Sequence, residues 1–277
     1  MTNNKKSPDR YALVGHPVEH SRSPLIHTVF ARATGQRLTY EVIDATPEAF
    51  ETAVRGFGAA GGKGLNVTVP HKQAAVALCK KLSEAAKVAG AVNTISIAED
   101  GFSGHNTDGI GLIRDVTVNL RQELSGKRIV VLGAGGAARG IIGPLLNEKP
   151  AELTIANRTK DRADEVAAAF GNPLLVARGF EELALLRPFD VVINATAAGL
   201  KGESSLPFPP LVVGPRSFCY DLVYGSTETP FVAWAKTHGA ARAVHGWGML
   251  VEQAAESFAI WRGVRPDTKP LLKQVPR

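Results

Sequence analysis

"LGAGGAARG", residues 132–140, stands between the apolar run "KRIVV" (127–131) and the helical pattern "IIGPLL" (141–146). Gly133, Gly135 and Ala138 reproduce a GxGxxA spacing at a strand-to-helix junction. One glycine allows the tight turn, the second lets backbone approach a pyrophosphate, and the small third residue lets the helix pack closely with its amino terminus facing the negative charge. Such a turn also occurs where nothing binds. Here a second strand, "ELTIANRT" (152–159), and a second helix, "KDRADEVAAAF", follow at the spacing of a dinucleotide-binding βαβ unit. An NAD site carries Asp or Glu about 20 residues past the glycines to accept from the ribose hydroxyls. This strand ends instead in Asn157, Arg158 and Thr159, with Arg162 close behind. The guanidinium groups suit a 2′-phosphate, and Asn157 and Thr159 add neutral hydrogen bonds. Cations at a helix amino terminus are unfavourable unless an anion is expected there, so NADP is the inferred cofactor.

Working outward, "LLVAR", "DVVINAT" and "SFCYDLVY" continue this half as nearly unbroken apolar strands, as expected where helices cover both faces of a parallel sheet. The first third reads β-α-β-α-β: "YALVG" (11–15), "SPLIHTVFARATG" (23–35), "LTYEVIDA" (38–45), "PEAFETAVRGFGAAG" (47–61) and "LNVTVP" (65–70). Ser23-Pro24 and Thr46-Pro47 each place a capping oxygen ahead of a proline at the first helical position. "HKQAAVALCKKL" reads as a helix. "AVNTISI" and "GFSGHNT" read as a hairpin turning at Asp100-Gly101, which delivers Asp108 to the start of a helical run, "GIGLIRDVTVNL". The tail "GMLVEQAAESFAIWRG" (248–263) is a long amphipathic helix.

At 277 residues the chain is long for one core and comfortable for two. Its 44% hydrophobic and 21% charged residues are those of an ordinary globular protein. The polar start "MTNNKKSPDR" has no apolar segment behind it and no run is long enough to span a membrane, so a cytoplasmic location is expected. Two cysteines, Cys79 and Cys219, lie far apart and outside any ligand spacing, which leaves no disulfide framework and no metal site to expect. The formal charge of +6 comes from basic residues scattered among acidic ones, without a basic stripe or interleaved aromatics. Nucleic acid is therefore not the expected partner, whereas a small anionic substrate is.

Three polar clusters fall at the carboxyl ends of strands in the first domain: "HSRSP" (20–24), "NVTVPHK" (66–72), and "AVNT" with "GHNTDG" on the hairpin. Ligands collect at such ends in open parallel sheets. Taken singly, Ser21 and Ser23 also read as helix caps, Asn93 and Asn106 as turn residues, Asp108 as an N-cap and Lys72 as a solvated lysine. Together they supply hydroxyls, amides, an ammonium and a carboxylate, a lining suited to a small polyhydroxylated acid.

These motifs, "GHPVEHSRSP", "GLNVTVPHK", "GAVNT", "GHNTDGIG", "LGAGGAARG", "ANRT", "INATAAG", "YDLVY", Thr229-Pro230 and "GWGMLVEQAAESFAIW", resemble the shikimate dehydrogenase family in order and along nearly the whole chain. The resemblance implies an α/β protein of two α/β domains. One is an N-terminal substrate-binding and catalytic domain (1–107 plus 244–277, the C-terminal helices returning to it), the other a Rossmann-type NADP-binding domain (108–243). It implies NADPH-dependent reduction of 3-dehydroshikimate to shikimate in chorismate and aromatic amino acid biosynthesis. It also assigns substrate binding to Ser21, Ser23, Thr68, Lys72, Asn93, Asp108, Tyr224 and Gln253, and catalysis to Lys72 and Asp108. Cofactor contacts fall on Gly133, Ala134, Gly135, Gly136 and Ala137, on Asn157, Arg158, Thr159 and Arg162, and on Thr196, Leu222, Gly246 and Met249.

A ketone that accepts hydride develops negative charge on oxygen, which Lys72 would stabilise while Asp108 holds the lysine and the neighbouring hydroxyl. Gln253, an amide in an apolar helix stripe, needs a partner that substrate hydroxyls would supply. Two positions depart from the family pattern: His71, where an aromatic residue is common, is expected to titrate near neutral pH, and Ala197 stands where a serine is common. The alternatives are an NAD-dependent quinate/shikimate dehydrogenase, which Arg158 opposes, and a non-catalytic metabolite-sensing member of the fold, which Lys72 and Asp108 oppose. A homodimer is compatible with the sequence.

Overall fold

A computed structural model describes residues 7–196, 198, 206–225 and 227–274. The chain forms two compact units, Met1–Thr107 with Ala254–Leu271, and Asp108–Gln253 with Leu272–Arg277. In the first unit, β1 (Asp9–Gly15), α1 (Ser23–Ala33), β2 (Leu38–Asp44), α2 (Phe50–Ala59) and β3 (Gly62–Val67) are followed by α3 (Ala74–Leu78), β4 (Lys81–Leu82), α4 (Glu84–Ala89), β5 (Thr94–Ala98) and β6 (Gly101–His105). The sheet order is β2-β1-β3-β5-β6-β4, with β1, β2 and β3 parallel, β5 antiparallel to both β3 and β6, and β4 parallel to β6. Apolar side chains from β1, β3 and α2, among them Val14, Leu65, Val54 and Phe50, form its core.

The second unit contains α5 (Asp108–Ile113), a π-helical segment (Arg114–Asn119), β7 (Arg128–Leu132), α6 (Gly136–Asn147), β8 (Glu152–Asn157), α7 (Lys160–Phe170), β9 (Leu175–Gly179), β10 (Val191–Asn194), β11 (Phe218–Asp221), α8 (Pro230–Thr237) and β12 (Arg242–His245). All six strands are parallel in the order β12-β11-β10-β7-β8-β9. The order reverses between β7 and β10, and the carboxyl ends at such a reversal are the usual ligand position in these sheets. β7 and β10 are buried throughout apart from Arg128, as expected of central strands covered on both faces. Last come α9 (Trp247–Arg262) and α10 (Lys269–Leu272).

This is the two-sheet α/β architecture expected from the sequence, with the C-terminal residues returning to the first unit. Sequence reading places the return at residue 244; by compactness it falls inside α9, between Gln253 and Ala254. From there Ser257, Trp261 and Arg262 tie the helix to the first sheet. Trp261 Nε1 donates to the Ile95 carbonyl at 3.1 Å, and Arg262 donates to Asp9 at 2.5 Å and to Gln36 at 2.6 Å.

Local elements differ from expectation in four places. Residues 71–82 do not form one helix: Cys79 turns extended, and Lys81–Leu82 pairs with β6, because the open sheet edge offers the Phe102 carbonyl to the Lys80 N–H. β3 stops at Val67, since beyond it Thr68 N–H donates to Val14 and the Val69 carbonyl accepts from His16. α1 begins at Ser23 with Ser21 Oγ accepting from the Ser23 N–H at 3.2 Å, and α2 begins only at Phe50 after a turn through 47–49, so neither Ser23 nor Thr46 acts as the expected cap. The run after Asp108 widens into a π-helix, where the Thr117 hydroxyl bonds back to the Ile113 carbonyl at 2.7 Å and competes with the regular ladder.

Candidate functional site

In the first unit, the carboxyl ends of β1 and β3, the start of β5 and the end of β6 share one edge of the sheet, because Asn66 pairs with Thr94 and Thr94 with His105. Ser21 and Ser23 follow β1, Thr68 and Lys72 follow β3, and Asn93 precedes β5, so these five residues gather along that edge. Gly15 makes the approach of the two loops close, as an added Cβ would collide with Thr68 and Val18. The Lys72 carbonyl accepts from Val92 N–H at 2.7 Å, which fixes its backbone beside Asn93.

Asn93 is buried and held on both ends of its amide: its Oδ1 accepts from Thr107 N–H at 2.9 Å, and its Nδ2 donates to Thr107 Oγ1 at 2.9 Å. Behind it Thr94, Thr107 and Asn66 converge on Ser257 Oγ at 2.7, 3.2 and 3.1 Å, and Tyr40 donates to Asn66 at 2.7 Å. Thr107, the last member of this network, is the residue that precedes Asp108 in the chain. His71 lies buried, stacked on Phe50 at 4.4 Å with its Nε2–H donating to the Ala45 carbonyl at 2.7 Å. It serves as a flat ring in the packing, the role an aromatic residue fills.

In the second unit Asp108 opens α5 and is buried. Glycines clamp that helix on two sides: a Cβ on Gly109 would meet the Gly140 carbonyl at 2.6 Å, and one on Gly111 would meet Gln253 N at 2.8 Å. The "DGIG" spacing therefore seats the Asp108 helix directly on the segment bearing Gln253, whose Nε2 donates to Leu250 at 2.9 Å. Tyr224 is half-buried beside Trp247, with ring centroids 6.4 Å apart.

The cofactor candidates line the carboxyl edge of the second sheet. Gly133 takes φ 109°, a left-handed value that a side chain resists. A Cβ there would meet the Ala195 carbonyl at 3.0 Å, so β7 and β10 approach each other closely at the reversal point. Around Gly135 the space is open, with no atom within 4 Å of an added Cβ, and Gly135, Gly136 and Ala137 form the amino terminus of α6. Buried Ala138 packs that helix onto the sheet. At the end of β8, Asn157 Nδ2 donates to the Thr159 carbonyl at 2.9 Å, while Arg158 and Arg162 are exposed and make no ion pair among the described residues. Arg158 also lines a cavity of about 510 Å³ with Phe180, Leu206 and Phe208. Glycine turn, helix amino terminus and exposed guanidinium groups fit a phosphorylated dinucleotide. Ala197, the other departure, lies outside the described residues.

Sequence reasoning gives no role to the braces beneath these loops. Asn194 Oδ1 accepts from Thr196 N–H at 3.1 Å and Oγ1 at 2.7 Å, while its amide donates to Asp221 at 2.9 Å. Asp221 also accepts from Val223 N–H at 3.1 Å and from Thr229 at 2.6 Å, so one carboxylate ties together the loops bearing Thr196 and Leu222. Burial pushes the Asp221 carboxyl up to about 6. Gly246 lies against those loops, where a Cβ would meet the Leu222 carbonyl at 2.6 Å. A polar residue ending each of two apolar strands, "VVIN" and "FCYD", is the available signal.

Three family models match in order: the shikimate dehydrogenase substrate binding domain over residues 13–95, shikimate / quinate 5-dehydrogenase over 116–201, and the shikimate 5'-dehydrogenase C-terminal domain over 246–275. A curated relative, shikimate dehydrogenase (NADP(+)) of Alkalilimnicola ehrlichii, is 54% identical over 95% of this chain and 97% of its own. The chain belongs to the shikimate dehydrogenase family. Among solved structures it is similar to an Ael1 enzyme from Pseudomonas putida (TM-score 0.88, 42% identity, 97% of this chain and 98% of that one). It is also similar to shikimate 5-dehydrogenase from Thermus thermophilus in complex with NADP(H) and shikimate (TM-score 0.84, 33% identity, 95% and 97% covered). No helix among the described residues is long and apolar enough to cross a membrane, and no cluster of three or more His, Cys, Asp or Glu there could hold a metal ion.

Proposed function

We propose that this chain catalyses the reversible NADPH-dependent reduction of 3-dehydroshikimate to shikimate, in the cytoplasm, as a step of chorismate and aromatic amino acid biosynthesis. The observation that carries the cofactor half is the end of β8, where Arg158 and Arg162 stand exposed, with no ion pair among the described residues, in place of the carboxylate an NAD site uses. NADPH supplies a hydride to the substrate ketone. Lys72 donates a hydrogen bond from its ammonium to the carbonyl oxygen, stabilising the charge that develops there. Asp108 accepts from the adjacent substrate hydroxyl, and these two groups, Lys72 and Asp108, supply the proton that completes the alcohol. Ser21, Ser23 and Tyr224 bind the carboxylate end, while Thr68, Asn93 and Gln253 bind ring hydroxyls. The prior engagement of Asn93 with Thr107 orients its amide before substrate arrives.

The cofactor set comprises Gly133 to Ala137 for the pyrophosphate, Asn157, Arg158, Thr159 and Arg162 for the adenine ribose phosphate, and Thr196, Leu222, Gly246 and Met249 for the nicotinamide side. By compact unit, Ser21, Ser23, Thr68, Lys72 and Asn93 belong to the first, and Asp108, Tyr224, Gln253 and all the cofactor groups belong to the second. Specificity is tested by comparing kcat/KM for shikimate and quinate at saturating NADP+. Quinate carries an extra hydroxyl at the carbon bearing the carboxylate and crowds the serines, so shikimate is expected to be favoured by about 10²-fold, the usual limit when a pocket rejects an added hydroxyl. A ratio near one, or one favouring quinate, overturns the substrate assignment.

A further inference from the structure

The first turn of α9 is held by a chain of polar groups buried in the second unit. Met249 N–H donates to the Tyr220 hydroxyl at 3.2 Å, and that hydroxyl donates to Asp115 Oδ2 at 2.7 Å. Asn119 Nδ2 donates to Asp115 Oδ1 at 3.0 Å and to Glu252 Oε1 at 3.1 Å, while Arg114 donates to Glu252 at 3.3 Å. Tyr220, Asp115 and Glu252 are all buried. Gly248 makes the arrangement sterically allowed, because a Cβ at that position would collide with the Asp115 carboxylate. A carboxylate beside a helix amino terminus meets the unpaired N–H groups and the favourable end of the helix dipole. Burial pushes the Tyr220 hydroxyl well above its ordinary range, so it remains a donor to Asp115. Asp115 and Asn119 both project from the π-helical segment, a local widening that recurs at functional sites.

We propose that Asp115 and Tyr220 are positioning residues for the nicotinamide half of the cofactor site, fixing the first turn of α9, which carries Met249 and follows directly on Gly246. The inference rests on the NADP reading of the second unit. Tyr220 lies on β11, and two strands, β10 and β7, separate it from β8, which delivers Arg158. At ordinary strand spacing that is about 14 Å. Removing the Tyr220 hydroxyl strands the Met249 N–H and a buried carboxylate while leaving the adenine-phosphate end intact.

The test uses the full chain with Tyr220→Phe, which keeps the ring in the core. Calorimetric titration with adenosine 2′,5′-bisphosphate reports the Arg158 end alone, and kcat/KM for NADP+ at saturating shikimate reports the whole site. The expected result is a fall of about tenfold in kcat/KM, the value of a lost buried hydrogen bond, with bisphosphate affinity within about twofold of wild type. Asp115→Ala gives the same split and decides the matter if Tyr220→Phe fails to fold. Asp115→Asn, which keeps an acceptor for Tyr220, restores most of the loss. Unchanged kcat/KM in the variants, or an equal loss of bisphosphate affinity, overturns the positioning role. A wild-type chain that binds no bisphosphate and shows no turnover with NADP+ overturns the cofactor reading beneath it.

Discussion

At the working edge of the first sheet the buried polar groups are neutral: Asn66, Asn93, Thr94, Thr107 and Ser257 bond to one another, and His27 is stacked on Tyr40 at 4.3 Å beneath them. At the corresponding edge of the second sheet they are acids, with Asp221 gathering Asn194, Val223 and Thr229, and Asp115 gathering Tyr220 and Asn119. A carboxylate accepts several hydrogen bonds at once, so a single side chain can fix two loops or a loop and a helix turn. Hydroxyls and amides both donate and accept, so the first unit needs a longer chain of partners to hold one amide, Asn93. On the function proposed above, this contrast divides the labour: the neutral lattice of the first unit orients Asn93, while the buried acids of the second shape the loops bearing the cofactor groups.

The largest effect that would break this division is chemical. Lys72→Ala, in the first unit, is expected to lower kcat by about 10²-fold or more while NADP+ affinity stays within about twofold. Steady-state kinetics with a parallel cofactor titration check it. A loss of NADP+ affinity with kcat intact would show that Lys72 serves binding and that the two units do not divide as described.

Acidity sharpens the comparison further, because the two sets of buried groups respond with opposite sign. Burial pushes His27 down to about 3, with the Asn66 side chain opposing part of the shift. Between its unfolded value near 6.5 and that folded value only the unfolded chain binds the proton, so stability is lost as pH falls through this window. Asp221 is raised by burial to about 6 from an ordinary value of 3.8. Between those values the folded chain holds the extra proton, so this group lowers stability as pH rises and restores it on acidification. Going from pH 7 to pH 4.5, His27→Phe is expected to gain about 2 kcal/mol relative to wild type, and Asp221→Asn to lose a similar amount. Urea denaturation at the two pH values measures both. Parallel pH dependence in the two variants would contradict the contrast.

Much of this arrangement can be read from the residues alone. α7 matches its apolar periodicity over Lys160–Phe170, and the glycine turn announces the second unit because its three small positions each answer a distinct steric demand. Arg158 is legible because a missing carboxylate at the end of a strand is itself a signal. β12 and α8 escape sequence reading: four residues of strand carry too little pattern, and only Thr229-Pro230 marks the helix start. The braces are illegible for a different reason. Asn194 and Asp221 meet only because β10 and β11 are neighbours, and Thr107 reaches Ser257 across 150 residues of chain. Such pairings depend on strand order and on the return of α9, which no local window contains. The packing of His71 is non-local in the same way, its partners Phe50 and Ala45 lying on another segment.

The central claim, that the second unit selects a 2′-phosphorylated dinucleotide for the chemistry of shikimate, is tested most directly by kcat/KM for NADP+ and for NAD+ at saturating shikimate, in wild type and Arg158→Ala. The account predicts strong preference for NADP+ in the wild type, and a loss of about tenfold or more in NADP+ efficiency in the variant with little change for NAD+, since a charged hydrogen bond to phosphate disappears. Equal use of the two cofactors by the wild type, or an equal loss for both in the variant, would contradict it.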